Sequence, residues 1–125
     1  MTRCVLESLL LLLYFDIVMR SSTFRRLYDD VRKHGVSPRP TPNHLSAEEL
    51  CHSVDIACVF YFKQVLCLQR SAATTVLMRR HGLGAEMVIG AQMIPYAFHA
   101  WVEINHVVVN DRPYMLDIYQ VLERC

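Results

Sequence analysis

FHAWVEINHVVVND, residues 98–111, decides how this chain is built. Its first half alternates: Phe98, Ala100, Val102 and Ile104 fall on one face of a strand, His99, Trp101 and Glu103 on the other. The first set reads as the face toward a core, so His99 projects away from it. Asn105 and His106 interrupt the pattern before Val107-Val108-Val109, which makes the stretch an antiparallel hairpin. Its register matters. A two-residue turn pairs Ile104 with Val107 and puts Asp111 opposite Ala100, on the wrong face for His99. A three-residue loop, Ile104-Asn105-His106, with a type I turn and a bulge pairs Glu103 with Val107 instead. His99 then stands opposite Asp111, where facing side chains lie about 5 Å apart. The bulged loop is the expectation, with His106 at positive φ. Were the two-residue turn present and Asp111 buried beside Ala100, Asp117 would be the substitute carboxylate.

Upstream of the hairpin, Ala85 to Ile89 reads as a further strand. Cys67 to Arg80 reads as a helix that Gly82 stops. Before that, Ser46 and Glu49 form a capping box, flanked by Leu45 and Leu50 as a hydrophobic staple. Ala47, Leu50, Val54, Ala57, Cys58 and Tyr61 then recur at helical spacing, with Cys51 and Cys58 read as small buried hydrophobes. Residues 5–33 also read as helical, with one stripe of Leu6, Leu10, Leu13 and Ile17 and another of Phe24, Leu27, Tyr28 and Val31. The alternate prolines of Ser37-Pro38-Arg39-Pro40-Thr41-Pro42 make a stiff connector. The whole predicts an α+β fold, helices packed on a small antiparallel sheet. It is one domain over 1–125, with 1–43 a helical lead-in and connector and 44–125 the core.

Composition excludes several classes. A net charge of +1 leaves no broad attraction to nucleic acid or anionic membrane. The doublets Arg25-Arg26 and Arg79-Arg80 read as solvated helix faces. The apolar run from Ser8 to Phe15 is bracketed by Glu7 and Asp16 and is far shorter than the about 20 residues of a membrane span, so no stable insertion is expected. Five cysteines are an odd number, and without a CxxC pair they suit a reducing cytoplasm. With 53% hydrophobic residues and a mean hydropathy of +0.20, some apolar surface is expected to meet a partner.

The chemistry sits on Cys67, His99 and Asp111. Cys67 opens a helix, where free backbone N–H groups and the helix dipole favour a thiolate and can donate to an oxyanion. An imidazole and a carboxylate complete the nucleophile, base and orienter set. Trp101, next to His99, is a candidate for lining a substrate pocket. Cys51, His52, Cys58 and Cys67 match no closed zinc pattern, so no metal is assigned. His34, His44 and His106 read as exposed at turns, His52 and His81 as helix-surface residues.

From Leu66 to Asp111 the chain resembles the leader peptidases of lasso peptide biosynthesis, a branch of the transglutaminase-like cysteine protease superfamily. The resemblance is carried by CLQRSAATTVLMRRHG, EMVIGAQ, the Pro95-Tyr96 lead to FHAWVEIN, and VVVND. It implies a transglutaminase-like, papain-like core. It also implies that Cys67 attacks the bond between leader and core of a ribosomal precursor peptide, with His99 as base and acid and Asp111 as its orienter. No cofactor is implied. The expected partners are the precursor, a separate leader-recognition protein and an ATP-dependent lasso cyclase. With only about 43 residues ahead of the core, and none resembling a winged-helix recognition unit, the chain looks like the split form. His106 departs from the glycine common at that turn. Arg70 and Ser71 follow the pattern but read as helix structure, with leader binding as the other possibility. An acyl transferase using the same acyl-enzyme, or a non-catalytic interaction module, are the competing readings.

Overall fold

A computed structural model describes residues 2–38 and 45–125. Most of the proline connector and His44 lie outside them. The described elements run α1 (Thr2–Ser21), α2 (Phe24–Lys33), α3 (Ala47–Phe60), α4 (Cys67–Arg80), β1 (Ala85–Met93), β2 (Tyr96–Ile104), β3 (Val107–Val108), α5 (Met115–Ile118) and β4 (Gln120–Arg124). The sheet is antiparallel in the order β3-β2-β1-β4. This is the α+β arrangement that the sequence predicts.

Local signals place the two central helices. Ser46 Oγ accepts the Glu49 N–H at 3.2 Å, the N-cap half of the capping box, and Leu50 is buried behind it. Gly82, at φ +84, ends α4 in the left-handed conformation that glycine adopts without strain. Helix α4 packs across β1 and β2 with α1 on its other side, so almost every residue from Gln69 to Arg79 is buried.

The N-terminal stretch is not a lead-in outside the core. It breaks at Ser22-Thr23, and α1 contributes Leu11, Leu12, Phe15 and Val18 to the main cluster. Gln69 Nε2 donates to Leu12 O at 2.8 Å, tying α1 to α4. The buried face is not the predicted one: Leu6, Leu10, Leu13 and Ile17 are exposed. The five successive leucines from Leu9 to Leu13 cover every side of the helix, so apolar periodicity cannot choose a face.

Arg79 departs from the expected solvated face. Its guanidinium is buried and donates to Ala85 O at 2.9 Å, Val31 O at 2.6 Å and His34 O at 3.0 Å. It thereby supplies a donor to the His34 carbonyl and a second one to that of Val31, which also accepts the His34 N–H at 3.2 Å, and holds the end of α2 to the start of β1. Arg80 is exposed and reaches Glu7 at 3.4 Å.

Both faces of β2 are covered. Ala100 and Val102 join the helical core, while Trp101 packs with Val88 and Met115 in a second cluster. The C-terminal stretch builds this second layer through α5 and pairs β4 with β1. Its short strand carries too few alternations to be told from a loop by pattern.

Candidate active site

The hairpin turn is the two-residue kind. Ile104 pairs with Val107 and Glu103 with Val108, and Asn105 and His106 both have positive φ, at 51° and 64°. That is the geometry of a type I′ turn, whose twist matches the strands. The predicted bulge at the turn is therefore absent. Asparagine tolerates the left-handed region, which lets Asn105-His106 do what Asn-Gly does more commonly.

Asp111 nevertheless meets His99, because the ladder breaks later. Val109 N–H donates to Val102 O at 3.0 Å. The return bond is not made by Val109: Val102 N–H donates to the side-chain Oδ1 of Asn110 at 2.7 Å, and Val109 O accepts from Cys51 Sγ at 3.5 Å. Asn110 thus replaces a strand carbonyl with its own amide and releases the main chain from the sheet. Asp111 Oδ2 then lies 2.6 Å from His99 Nε2, while its Oδ1 accepts the Arg112 N–H at 2.8 Å. Both carboxylate oxygens are held. Asp117 is exposed on α5 and takes no part.

The His99 ring is fixed on its other side by aromatic stacking. It lies 5.4 Å from the Tyr119 ring and 6.1 Å from that of Trp101, nearly parallel to both. Trp101 is fully buried, which leaves none of its surface to line a pocket; its part is to support His99 from beneath. Its Nε1 donates to Glu103 Oε2 at 2.8 Å, and Glu103 Oε1 accepts from Arg124 at 2.5 Å. Gly90 faces His99 across β1 and β2, and a Cβ there would meet the Trp101 ring at 2.6 Å and Tyr119 Cβ at 2.8 Å. Asn110, Tyr119 and Gly90 went unread in the sequence. The Val-Asn-Asp run was the one available sign of Asn110.

Cys67 is the first residue of α4, and its side chain is exposed. It heads a stripe that continues inward as Ser71, Thr74 and Met78, all buried. The helix start lacks a side-chain cap, because the N-cap residue is Leu66. The first-turn N–H groups are consequently free to donate to an anion beside the thiol. Among the described residues no hydrogen bond joins Cys67 Sγ to His99. The structure brings His99 and Asp111 together and leaves the thiol exposed at the start of α4. Since Nε2 is engaged by Asp111, Nδ1 is the nitrogen that His99 has left for a thiol.

The other thiols differ in setting. Burial pushes the Cys51 and Cys125 thiols up to about 11 and raises that of Cys58 as well. Arg70 pairs with Asp55 of α3 at 2.5 Å and Ser71 is buried, which gives both a structural setting. No group of His, Cys, Asp or Glu among the described residues is arranged to hold a metal ion.

Three comparisons bear on this geometry. The family model for the transglutaminase-like superfamily matches residues 11–124, from α1 to the end of β4. The microcin J25-processing protein McjB of Escherichia coli is 33% identical over 79 residues, which cover 63% of this chain and 38% of that protein. The chain therefore matches less than two-fifths of that relative's length. No solved structure matches the chain. The family match spans every element that positions Cys67, His99 and Asp111, and the chain belongs to the transglutaminase-like superfamily.

Proposed function

We propose that this protein is a cysteine endopeptidase that removes the leader from a lasso peptide precursor. The observation that carries the reading is the His99–Asp111 contact at 2.6 Å, in a chain whose helix α4 opens on an exposed thiol. The likeness to a microcin-processing protein supports the substrate class.

In this reading Cys67 Sγ attacks the carbonyl carbon of the bond between leader and core, and His99 Nδ1 takes the thiol proton. The oxyanion of the tetrahedral intermediate accepts from the uncapped N–H groups at the start of α4. The C–N bond then breaks, and His99 delivers its proton to the leaving amine, the new core N-terminus. A water, deprotonated by His99, attacks the thioester, and the leader departs as a free carboxylate. Asp111 keeps the imidazole in the tautomer and orientation both steps need. The protein works in the cytoplasm with a separate leader-recognition protein that presents the precursor. An ATP-dependent cyclase then closes the freed core.

Transfer to an amine would pass through the same thioester, so the acceptor decides the activity. Incubating a precursor peptide with the protein and excess glycinamide, followed by mass spectrometry, distinguishes them. Free leader carboxylate, absent with Cys67→Ala, is the expected product. A leader–glycinamide conjugate as the main product would make the protein a transferase instead.

A further inference from the structure

A groove opens beside the helix tip. It has a volume of about 790 Å³ and is walled by Phe24 and Tyr28 of α2, Leu68 of α4, Ile89 of β1, Phe98 of β2 and Leu122 of β4. Leu68 follows Cys67 directly, so the groove begins one residue from the thiol. Phe24, Phe98 and Leu122 are each more than half exposed there, unusual for three large apolar side chains facing one space. The mouth carries both signs, Arg25 and Arg32 against Asp29 and Glu123, and Arg32 already pairs with Glu123 at 3.6 Å. The rim charges therefore balance, two positive against two negative.

Strand β4 is shaped toward this space. Ile89 pairs with Glu123 but Gly90 with Val121, so Leu122 has no partner across the ladder. Such a bulge re-aims a side chain and is common beside sites. Here the neighbouring Val121 packs on the Trp101 cluster while Leu122 lines the groove.

The chemistry settles which part of a substrate arrives there. His99 has to protonate the leaving nitrogen, so the leaving side of the peptide lies toward the dyad. Asp111 holds His99 on the face of β2 that carries Trp101, whereas the groove is walled by Ile89 and Phe98 from the face that packs on the helices. The acyl side of the substrate runs the other way from the thiol, over Leu68. We propose that this groove is the acyl-side subsite, taking an uncharged apolar side chain of an extended peptide. Its occupant is a residue on the acyl side of the scissile bond. This rests on the peptidase reading and adds to it a substrate preference and its location.

The test needs no natural substrate. N-acetyl tetrapeptide acyloxymethyl ketones alkylate an active-site thiol and occupy the acyl side alone. A set of alanine-based probes carrying Leu, Phe, Asp or Lys at one position each is reacted with the full chain. Labelling of Cys67 is timed by mass spectrometry and normalised to each protein's iodoacetamide rate. Leu and Phe probes should react at least about ten-fold faster than Asp and Lys probes, a modest share of what burying such a side chain yields. Phe98→Ala and Leu122→Ala, both at half-exposed positions that leave the core intact, should shrink that advantage to within about two-fold. Equal rates for all probes, or a preference unchanged by both substitutions, overturns the subsite. So does a change in oligomeric state with those variants, which would make the groove a self-association surface. If neither iodoacetamide nor any probe labels Cys67 ahead of the other thiols, the peptidase reading itself falls and the subsite with it.

Discussion

Gly90 stands directly across from His99 in the β1–β2 ladder, and the room its missing side chain leaves is filled by the rings that hold His99. A methyl group there would press on Trp101 and Tyr119 together. Gly90→Ala is therefore expected to shift the imidazole, and a displacement of about 1 Å costs about 100-fold in rate. Overpacking also lowers stability by about 1–3 kcal/mol. Leader release and urea denaturation measure the two effects, and an alanine variant with normal kcat would remove the aromatic support from the account.

Asn110 decides where Asp111 goes. Replacing it with alanine leaves Val102 N–H without its acceptor, a loss of about 1–3 kcal/mol. It also frees the strand to continue in register, which carries Asp111 toward Ala100. Asn110→Ala should thus lower kcat nearly as far as Asp111→Ala, for which about 10²–10⁴-fold is expected from other triads. Wild-type kcat in Asn110→Ala, with stability lowered, would show that the carboxylate finds His99 without it.

Arg79 predicts a purely structural effect. With Arg79→Ala the carbonyls of Val31, His34 and Ala85 lose their common donor, at about 1–3 kcal/mol for each one left buried and unpaired. The variant should unfold at clearly lower urea concentration. Any protein that remains folded should keep its Cys67 reactivity.

Asp16 gives the protein a definable acid limit. Lys63 and Tyr61 both bond its carboxylate, at 2.7 Å each, and hold it below the usual carboxylate range. The folded value is the lower one, so this stabilisation is fully present above the unfolded value of about 3.9. It is lost as pH falls through the folded value. Asp16→Asn should lower stability at pH 7, with the gap between the two proteins closing in strong acid. A gap that stays constant from pH 7 down to acid unfolding would contradict the assignment.

How far sequence carries depends on which force fixes each feature. Helix α4 was legible because its boundaries are local: Cys67 at one end, Gly82 at the other, and a stripe between them. The buried side of α1 was not, because leucine surrounds that helix and tertiary packing makes the choice. His99 and Asp111 were read as a pair for a reason that proved mistaken in detail. The turn at Asn105-His106 is two residues long, and the register correction comes from the Asn110 side chain, which no alternation rule anticipates. Alternation gives β2 one face toward a core and sets Trp101 and Glu103 on the other, yet both are buried. The second face is covered by α5 and β4, elements too short to announce themselves. Arg79 shows the same limit: a basic doublet reads as surface, and only the fold reveals three carbonyls converging on one guanidinium.

The exposure of Cys67 makes a direct forecast at neutral pH. Iodoacetamide should label it before Cys51 and Cys125, whose thiols burial holds at about 11 and therefore protonated. Peptide mapping after brief alkylation reads the order, and equal labelling of Cys51 or Cys125 would contradict it.

The central claim is that Cys67 releases a leader. Its most direct measurement mixes the purified protein with a leader-recognition protein and a lasso precursor, and follows free leader by mass spectrometry. The account predicts leader release by the wild type and none by Cys67→Ala under the same conditions. Leader release by Cys67→Ala at the wild-type rate would contradict it.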